Sequence, residues 1–127
     1  MTINHLNLVV TDVTKAVEFF TNYFDFSCDY IRGEGVLAVL KNKHNFVLVL
    51  MAPQKKENGN STYPDAFHIG FMLETAEAVD DLHKRLAEGD IEITQSPRKI
   101  RDSYGFYFYF ENIFIEVGHY LNLNGEE

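Results

Sequence analysis

The organisation of the chain is decided by two stretches, Asn4-His5-Leu6-Asn7-Leu8-Val9-Val10 and Phe67-His68-Ile69-Gly70-Phe71-Met72-Leu73. Both alternate in the manner of a β-strand, and each carries a histidine at its second position. Each is followed by apolar residues at helical spacing and then by further strand-like segments. The sequence therefore predicts a duplicated pattern, with one strand-helix-strands module in each half of the chain.

In the first half, Thr11 or Asp12 is placed to cap a helix that follows the opening strand. Three further strands are predicted at about residues 26–32, 36–40 and 46–51, because glycines and a polar run mark turns between them. These elements make up a first module at about residues 1–53. The apolar stripe of its helix consists of Val13, Ala16, Val17, Phe20 and Phe24.

The second half repeats this order after a polar stretch at about residues 54–63, which predicts a linker. A helical stripe ends at Gly89, and strands are predicted at about residues 92–95, 105–110 and 113–117. The second module spans about residues 64–121, and the polar tail at 122–127 is predicted to be frayed. The stripe of the second helix consists of Ala76, Val79, Leu82 and Leu86.

Composition and charge narrow the function classes. With 127 residues and 46% hydrophobic content, the chain suits one globular domain. The net charge of −8 argues against a nucleic-acid or anionic-membrane surface, since phosphate binding relies on clustered cations. Cys28 is the only cysteine, which excludes an internal disulfide and a thiolate zinc cage. We expect a soluble, cytoplasmic protein that acts on a small molecule.

Three polar residues stand out on otherwise apolar strands. His5, His68 and Glu116 each lie opposite the apolar face of their strand, because strand side chains alternate. A carboxylate among isoleucines and valines needs a cation, a donor or solvent. Taken alone, each residue is more simply an ordinary polar side chain. Together, at matching places in a duplicated pattern, they favour a facial triad for a divalent metal.

On these residues the chain resembles the vicinal oxygen chelate superfamily, also called the glyoxalase/bleomycin-resistance/dioxygenase family. The resemblance rests on the motifs Asn4-His5-Leu6, Phe67-His68-Ile69-Gly70-Phe71 and Phe114-Ile115-Glu116-Val117-Gly118, in this order. It implies an α+β fold of two βαβββ modules that form an incomplete, half-open β-barrel around a metal site. It further implies His5, His68 and Glu116 as ligands of Mn, Fe, Ni or Zn, and a homodimer with modules paired across subunits.

Two departures from the family pattern limit what the resemblance implies. Members with glyoxalase I activity use a fourth ligand, a carboxylate at the end of the first module, where this chain has Val49. The family's Asp-Pro-Asp-Gly-type turn before the last strand is cut to Glu111-Asn112. Because valine can neither ligate a metal nor accept a proton, glyoxalase I isomerisation is disfavoured.

The remaining three-ligand set leaves several functions open. We expect the metal to act as a Lewis acid on a small oxygen-chelating substrate, in a lyase/isomerase or thiol-transferase reaction. Asn7 stands where the fosfomycin-type thiol transferases of the family have a hydroxyl group. One alternative is an extradiol-dioxygenase-like enzyme. Another is a non-catalytic ligand- or drug-sequestering protein of the bleomycin-resistance type, which needs no metal.

Further residues are candidates for the pocket. Asn7, Tyr104, Tyr107 and Tyr109 are polar groups that could line it, although core packing is the simpler role for the even-numbered aromatic stripe of residues 104–110. A basic cluster precedes this strand and could receive an anionic group of a substrate, although loop cations are more often merely solvated. The cluster consists of Arg98, Lys99 and Arg101.

Overall fold

The structure, a computed structural model, describes residues 1–53 and 63–121. The chain divides into two compact units, Met1–Thr62 and Tyr63–Glu127. The sequence predicted a linker at residues 54–63, of which only Tyr63 is among the described residues. The predicted frayed tail at residues 122–127 lies outside them.

The first unit has one helix and one mixed sheet with the strand order β1-β4-β3-β2. Strand β1 runs parallel to β4, and the helix after β1 leads to β2 at the opposite edge of the sheet. Strands β2, β3 and β4 are antiparallel neighbours joined by short turns. Leu40, Leu48 and Leu50 bury their side chains on the helix side of the sheet. The elements are β1 (His5–Val9), α1 (Val13–Tyr23), β2 (Ser27–Arg32), β3 (Leu37–Lys41) and β4 (Val47–Met51).

The second unit repeats this topology with the strand order β5-β8-β7-β6. Strand β5 is parallel to β8, and the long β7–β8 hairpin forms the centre of the sheet. The helix packs on β7 and β8, where Phe106, Ile115 and Val117 are fully buried. The elements are β5 (Ile69–Met72), α2 (Ala76–Glu88), β6 (Arg98–Ile100), β7 (Ser103–Phe110) and β8 (Ile113–Tyr120).

This architecture confirms the predicted α+β fold of two βαβββ modules. Within the described residues, each sheet has four strands and two unpaired edges, so neither closes on itself and both are half-open. The two helices have 11 and 13 residues, and no helix in the described ranges is long and apolar enough to cross a membrane.

Capping side chains determine where both helices begin. Asp12 precedes α1, and its carboxylate accepts a hydrogen bond from the Lys15 N–H at 3.0 Å. Thr75 precedes α2, and its hydroxyl oxygen accepts from the Ala78 N–H at 3.0 Å. The buried face of α1 differs slightly from the predicted stripe, because Phe19 is buried while Val17 is only half-buried.

The strand predicted at residues 92–95 is wrong. The chain is irregular from residue 91 to residue 97, and Pro97 has no N–H with which to extend a ladder toward Gln95. Instead, the Gln95 carbonyl accepts a hydrogen bond from His83 Nε2 at 2.8 Å. The Gln95 side-chain oxygen accepts from the Tyr107 N–H at 3.4 Å. This segment is therefore held beside β7 by a side chain, and regular pairing starts only at Arg98.

Candidate functional site

The candidate site begins with a contact between His68 and Glu116. His68 lies immediately before β5, and Glu116 lies on β8 directly opposite Gly70. A Cβ atom at Gly70 would lie 3.6 Å from Glu116 Oε1, an ordinary contact, so the carboxylate lies directly over this glycine. His68 Nε2 and Glu116 Oε1 are 3.3 Å apart. The carboxylate is the more enclosed partner, with 18% of its side chain exposed against 36% for the imidazole.

The second ring nitrogen of His68 defines the chemistry of this contact. Nδ1 lies 3.0 Å from the Ala66 carbonyl oxygen, which can only accept, so Nδ1 carries a hydrogen. In a neutral imidazole, Nε2 then directs a lone pair at the carboxylate oxygen. Two acceptors at this distance attract a cation between them, either a proton on Nε2 or a metal ion. The pair therefore fits a divalent metal, and the Ala66 carbonyl orients the imidazole as in known metal sites.

Aromatic rings hold the imidazole in place. The His68 ring meets Tyr107 and Phe114 edge-on, with ring centroids 5.5 and 5.8 Å away. Phe114 in turn stacks on both Tyr107 and Tyr109, at 5.3 and 4.7 Å. Tyr109 remains 54% exposed, so the outer end of this stack is open to solvent. The packing restricts the rotation of His68 and provides an apolar wall beside Glu116.

Tyr107 also interacts with the Glu116 carboxylate. It lies opposite Glu116 in the β7–β8 pairing. Burial raises the pKa of the Tyr107 hydroxyl above its usual 10.0, and the negative charge of Glu116 and a hydrogen bond to that carboxylate raise it further. The positive charge of Arg101 acts in the opposite direction. The phenol therefore keeps its proton at neutral pH and donates a hydrogen bond to Glu116.

A cavity of about 470 Å³ opens beside these residues, within the second unit. Its size falls in the range of small-molecule sites, roughly 300–1,000 Å³. The wall combines the His68–Glu116 pair with polar groups from the β6–β7 turn and the end of β8. The lining residues are His68, Ile100, Arg101, Asp102, Ser103, Tyr107, Glu116 and Tyr120.

The predicted pocket tyrosines lie in different surroundings. Tyr107 lines the cavity, whereas Tyr104 lies on the opposite face of β7 and donates a hydrogen bond of 2.6 Å to Asp80 of α2. That hydrogen bond is the main reason why the pKa of the Tyr104 hydroxyl is raised, followed by burial and the charge of Asp80. Tyr109 is on the same face as Tyr107 but beyond the cavity wall, stacked on Phe114.

The basic cluster is also divided. Arg101 occupies the turn between β6 and β7 and lines the cavity. Arg98 and Lys99 are exposed on the short strand β6 and do not line it.

The remaining site candidates, His5 and Asn7, lie on β1 in the first unit. His5 is exposed, with Nδ1 2.7 Å from Asn4 Oδ1, and the Asn7 amide donates to Met51 Sδ at 3.6 Å. Across the parallel β1–β4 pair, Asn7 lies opposite Val49. Because His5 precedes Asn7 by two residues, as His68 precedes Gly70, Val49 corresponds to Glu116. The first unit therefore has a histidine at this place but no carboxylate beside it.

No group of three His, Cys, Asp or Glu side chains suited to a metal occurs in residues 1–53 and 63–121. The described structure thus brings together two of the three predicted ligands, His68 and Glu116, and the complete set stays a prediction.

Sequence reasoning missed four of the residues that line the cavity. Side-chain alternation along β8 could have identified one of them, because Tyr120 follows Glu116 by four residues and so lies on the same face of the strand. The predicted strand ended at Val117 and so did not reach it, whereas β8 continues to Tyr120. The other three belong to a tight turn whose position depends on the true start of β6. They are Ile100, Asp102 and Ser103.

Comparisons with known proteins agree with this topology. The model of the Glyoxalase/Bleomycin resistance protein/Dioxygenase superfamily matches residues 2–116. A structure described as a possible glyoxalase from Bacillus cereus is 35% identical, with a TM-score of 0.77 over 93% of this chain and 98% of the other. The chain has no match among the curated proteins.

More distant structures share the fold. A lactoylglutathione lyase from Agrobacterium tumefaciens is 20% identical, with a TM-score of 0.69 over 93% of this chain and 92% of the other. A mutant fosfomycin resistance protein from Listeria monocytogenes, complexed with Mn(II) and 1S,2S-dihydroxypropylphosphonic acid, is 22% identical. Its TM-score is 0.73 over 98% of this chain and 95% of the other.

Proposed function

The chain belongs to the Glyoxalase/Bleomycin resistance protein/Dioxygenase superfamily, and from this membership we propose that it is a divalent-metal-dependent enzyme acting on a small oxygen-chelating substrate. The reaction class proposed is a lyase/isomerase or thiol-transferase reaction. The observation that supports the proposal is the contact of 3.3 Å between His68 Nε2 and Glu116 Oε1 beside a cavity. An imidazole nitrogen and a carboxylate oxygen are both atom types that bind divalent metals.

The proposed ligands are His5, His68 and Glu116, with Mn, Fe, Ni or Zn as the metal. A divalent ion held by two imidazoles and one carboxylate keeps coordination positions open and polarises substrate oxygens as a Lewis acid. The proposed oligomer is a homodimer with modules paired across subunits. In such a dimer, His5 of one chain can complete the site that His68 and Glu116 form in the other. The superfamily includes a fold relative complexed with Mn(II), which is consistent with this choice of metals.

The residues around the proposed metal have separate tasks. The Ala66 carbonyl fixes the tautomer of His68, and Tyr107 holds the Glu116 carboxylate by donating its phenolic hydrogen. Phe114 shields one side of the imidazole from water. These contacts orient the two ligands before a substrate arrives, which is the preorganisation that catalytic sites need. Val49 weighs against a four-ligand site of the glyoxalase I type.

A second candidate, a ligand-sequestering protein, is favoured by the aromatic stack. Tyr107, Phe114 and Tyr109 form a continuous stack whose outer ring is more than half exposed. Such a surface suits the stacking of a planar ligand without any reaction. A purely sequestering role leaves the His68–Glu116 pair unexplained, and for this reason we rank it second.

The experiment loads the purified protein with Mn, Fe, Ni or Zn and assays three substrate classes: thiol adducts of 2-oxoaldehydes, epoxides with a thiol, and catechols with oxygen. We expect turnover of one of the first two classes, lost in Glu116→Gln and retained in a His44→Gln control from an exposed turn. Oxygen uptake with catechols would instead indicate the dioxygenase alternative. Tight binding of aromatic ligands by metal-free protein, with no turnover, would indicate sequestration.

A further inference from the structure

The cavity of the second unit is chemically asymmetric. His68, Tyr107 and Glu116 form one part of the wall, and the turn residues Arg101 and Asp102 with Ser103 form another. Ser103 and Tyr107 are four residues apart on β7, which corresponds to roughly 13 Å along a strand. The turn residues therefore line a different part of the cavity from the His68–Glu116 pair.

Arg101 is the only cation among the described residues that line this cavity. It forms no salt bridge with any residue in the described ranges, although Asp102 and Glu116 line the same cavity. An arginine with an uncommitted guanidinium in a cavity has its five donors available for a ligand.

The backbone holds Arg101 at this place. Arg101 has a φ of +53°, in the left-handed region that residues with a Cβ rarely adopt. The turn is fastened on both sides, because the Ser103 hydroxyl donates to the Ile100 carbonyl at 3.1 Å and the Leu121 N–H donates to the Asp102 carbonyl at 2.8 Å. The guanidinium is thus presented by a fixed turn.

We propose that Arg101 is a specificity-determining residue that binds an anionic oxygen group of the substrate, a carboxylate or a phosphate-type group, at the turn end of the cavity. The guanidinium fork pairs with two oxygens of one such group, an arrangement that strongly discriminates against neutral analogues. This inference deepens the proposed function and rests on it only in taking this cavity for the substrate site. It narrows the substrate class to small anions, in a protein whose net charge of −8 otherwise repels them.

The test measures binding of malonate, malonamide and inorganic phosphate to the full chain by amide chemical-shift titration. The protein is treated with a chelator, because a bound metal would itself attract the anions. Malonamide has the skeleton of malonate without its charge. We expect malonate, phosphate or both to bind, malonamide not to bind, and Arg101→Gln to weaken anion binding by roughly 10- to 100-fold.

Three variants serve as controls. Lys99→Gln removes a neighbouring cation that does not line the cavity, and we expect it to change anion binding less than threefold or so, as for a screened surface charge. Arg101→Asn is a second neutral variant, whose side chain tolerates the left-handed turn and so keeps the fold. Arg101→Lys keeps the charge without the fork and is expected to bind anions with intermediate affinity.

The proposal is overturned if neither anion binds, if malonamide binds as tightly as malonate, or if Lys99→Gln weakens binding as much as Arg101→Gln. Metal affinity, measured separately on the same variants, distinguishes this proposal from the proposed function. A chain that binds anions through Arg101 but binds no metal contradicts only the metalloenzyme. A chain that binds metal but shows none of this anion pattern contradicts only the role of Arg101.

Discussion

Two atoms, His68 Nε2 and Glu116 Oε1, are the centre of the site at the scale of single residues. Their separation of 3.3 Å is supported by two local contacts of the imidazole: a carbonyl that fixes its orientation and aromatic rings that restrict its rotation. Both contacts act on the imidazole, so His68 is held with Nε2 facing the Glu116 carboxylate.

The ionisation of Tyr107 is the first prediction. Its raised pKa means that, in metal-free protein, the phenol ionises above its usual 10.0. Glu116→Gln removes the carboxylate charge that helps to raise this pKa, so the midpoint should fall. Absorbance at 295 nm, compared between wild type, Tyr107→Phe and Glu116→Gln, measures it. An unchanged midpoint in Glu116→Gln would contradict the contact between these side chains.

The raised pKa of Tyr107 also determines how the free energy of unfolding changes with pH. Because the folded-state pKa of Tyr107 is raised, the folded chain holds this proton more tightly than the unfolded chain does. The corresponding stability is fully present below the unfolded pKa near 10 and is lost as the pH rises through the folded pKa.

The second prediction concerns Tyr107 as a support for the proposed ligand Glu116. Tyr107→Phe keeps the ring but removes the hydroxyl that donates to the carboxylate. Loss of such a supporting hydrogen bond weakens metal binding by roughly 10- to 100-fold in known sites, and we expect a similar loss here. Tyr104→Phe is the matched control, because Tyr104 lies on the opposite face of the same strand and binds Asp80. Equal effects of the two substitutions on metal affinity would count against this role.

At the residue scale, the sequence predicts which face of a strand a side chain occupies better than it predicts which side chains contact each other. Alternation correctly separates Glu116 from Ile115 and Val117, since both apolar neighbours are fully buried. It cannot tell which tyrosine of β7 meets Glu116, because this depends on the register between β7 and β8. A two-residue turn at Glu111–Asn112 sets that register, with Glu111 in the left-handed region at φ +52°, and so brings Tyr107 opposite Glu116.

At the scale of elements, the β7–β8 hairpin depends on a close approach between two glycines. Gly105 lies opposite Gly118, and a Cβ atom at Gly105 would overlap the Val117 carbonyl oxygen and lie 2.7 Å from the Gly118 Cα. Both neighbours are backbone atoms, which cannot move aside as a flexible side chain would. This pair of strands carries both Tyr107 and Glu116, so its packing fixes their separation.

Gly105→Ala is the third prediction. We expect it to lower the free energy of unfolding by about 1–3 kcal/mol or more, the usual cost of forcing extra volume into a packed site. Gly70→Ala is the matched control, because a Cβ at Gly70 meets only side-chain atoms at 3.6 and 3.8 Å, which is ordinary contact. Urea unfolding of both variants measures the difference. Equal stabilities of the two variants would show that the β7–β8 approach is looser than described.

Some secondary-structure elements could be predicted from the sequence, and one could not. Helical periodicity and capping residues correctly locate both helices, because these signals are local. The sequence misplaces the short strand β6, because residues 91–95 alternate like a strand, with Ile91 and Ile93. In the structure this segment is instead held by tertiary hydrogen bonds of Gln95. Competition between a strand pattern and a distant side-chain contact cannot be decided from local sequence.

At the scale of the whole molecule, the two units repeat one topology but differ in ligands. The first unit has His5 with Val49 at the position equivalent to Glu116, and the second has His68 with Glu116. Neither unit by itself supplies the three ligands that we propose. If the site is assembled across subunits of a homodimer, a chain that lacks His5 and a chain that lacks Glu116 can together form one complete site.

Mixing of two inactive variants is the fourth prediction. His5→Ala and Glu116→Ala should each lose metal binding as homodimers. When they are unfolded together and refolded as a mixture, we expect about a quarter of the sites to recover, because half of the dimers are mixed and each restores one of its two sites. Equilibrium dialysis with Zn(II) measures the recovery. No recovery in the mixture, with intact dimers, would show that the proposed pairing across subunits is wrong.

The central claim, a divalent metal held by His68 and Glu116, is tested most directly by a titration of metal-free protein with Mn(II) and Zn(II), monitored by calorimetry. The wild type is predicted to bind about one ion per chain, as a facial triad does. His68→Ala and Glu116→Ala are predicted to weaken binding by more than the roughly 10- to 100-fold cost of losing a supporting hydrogen bond. His44→Ala, a control from an exposed turn, should bind as the wild type does. Wild-type protein that binds neither ion, or variants that bind as tightly as the wild type, would contradict the claim.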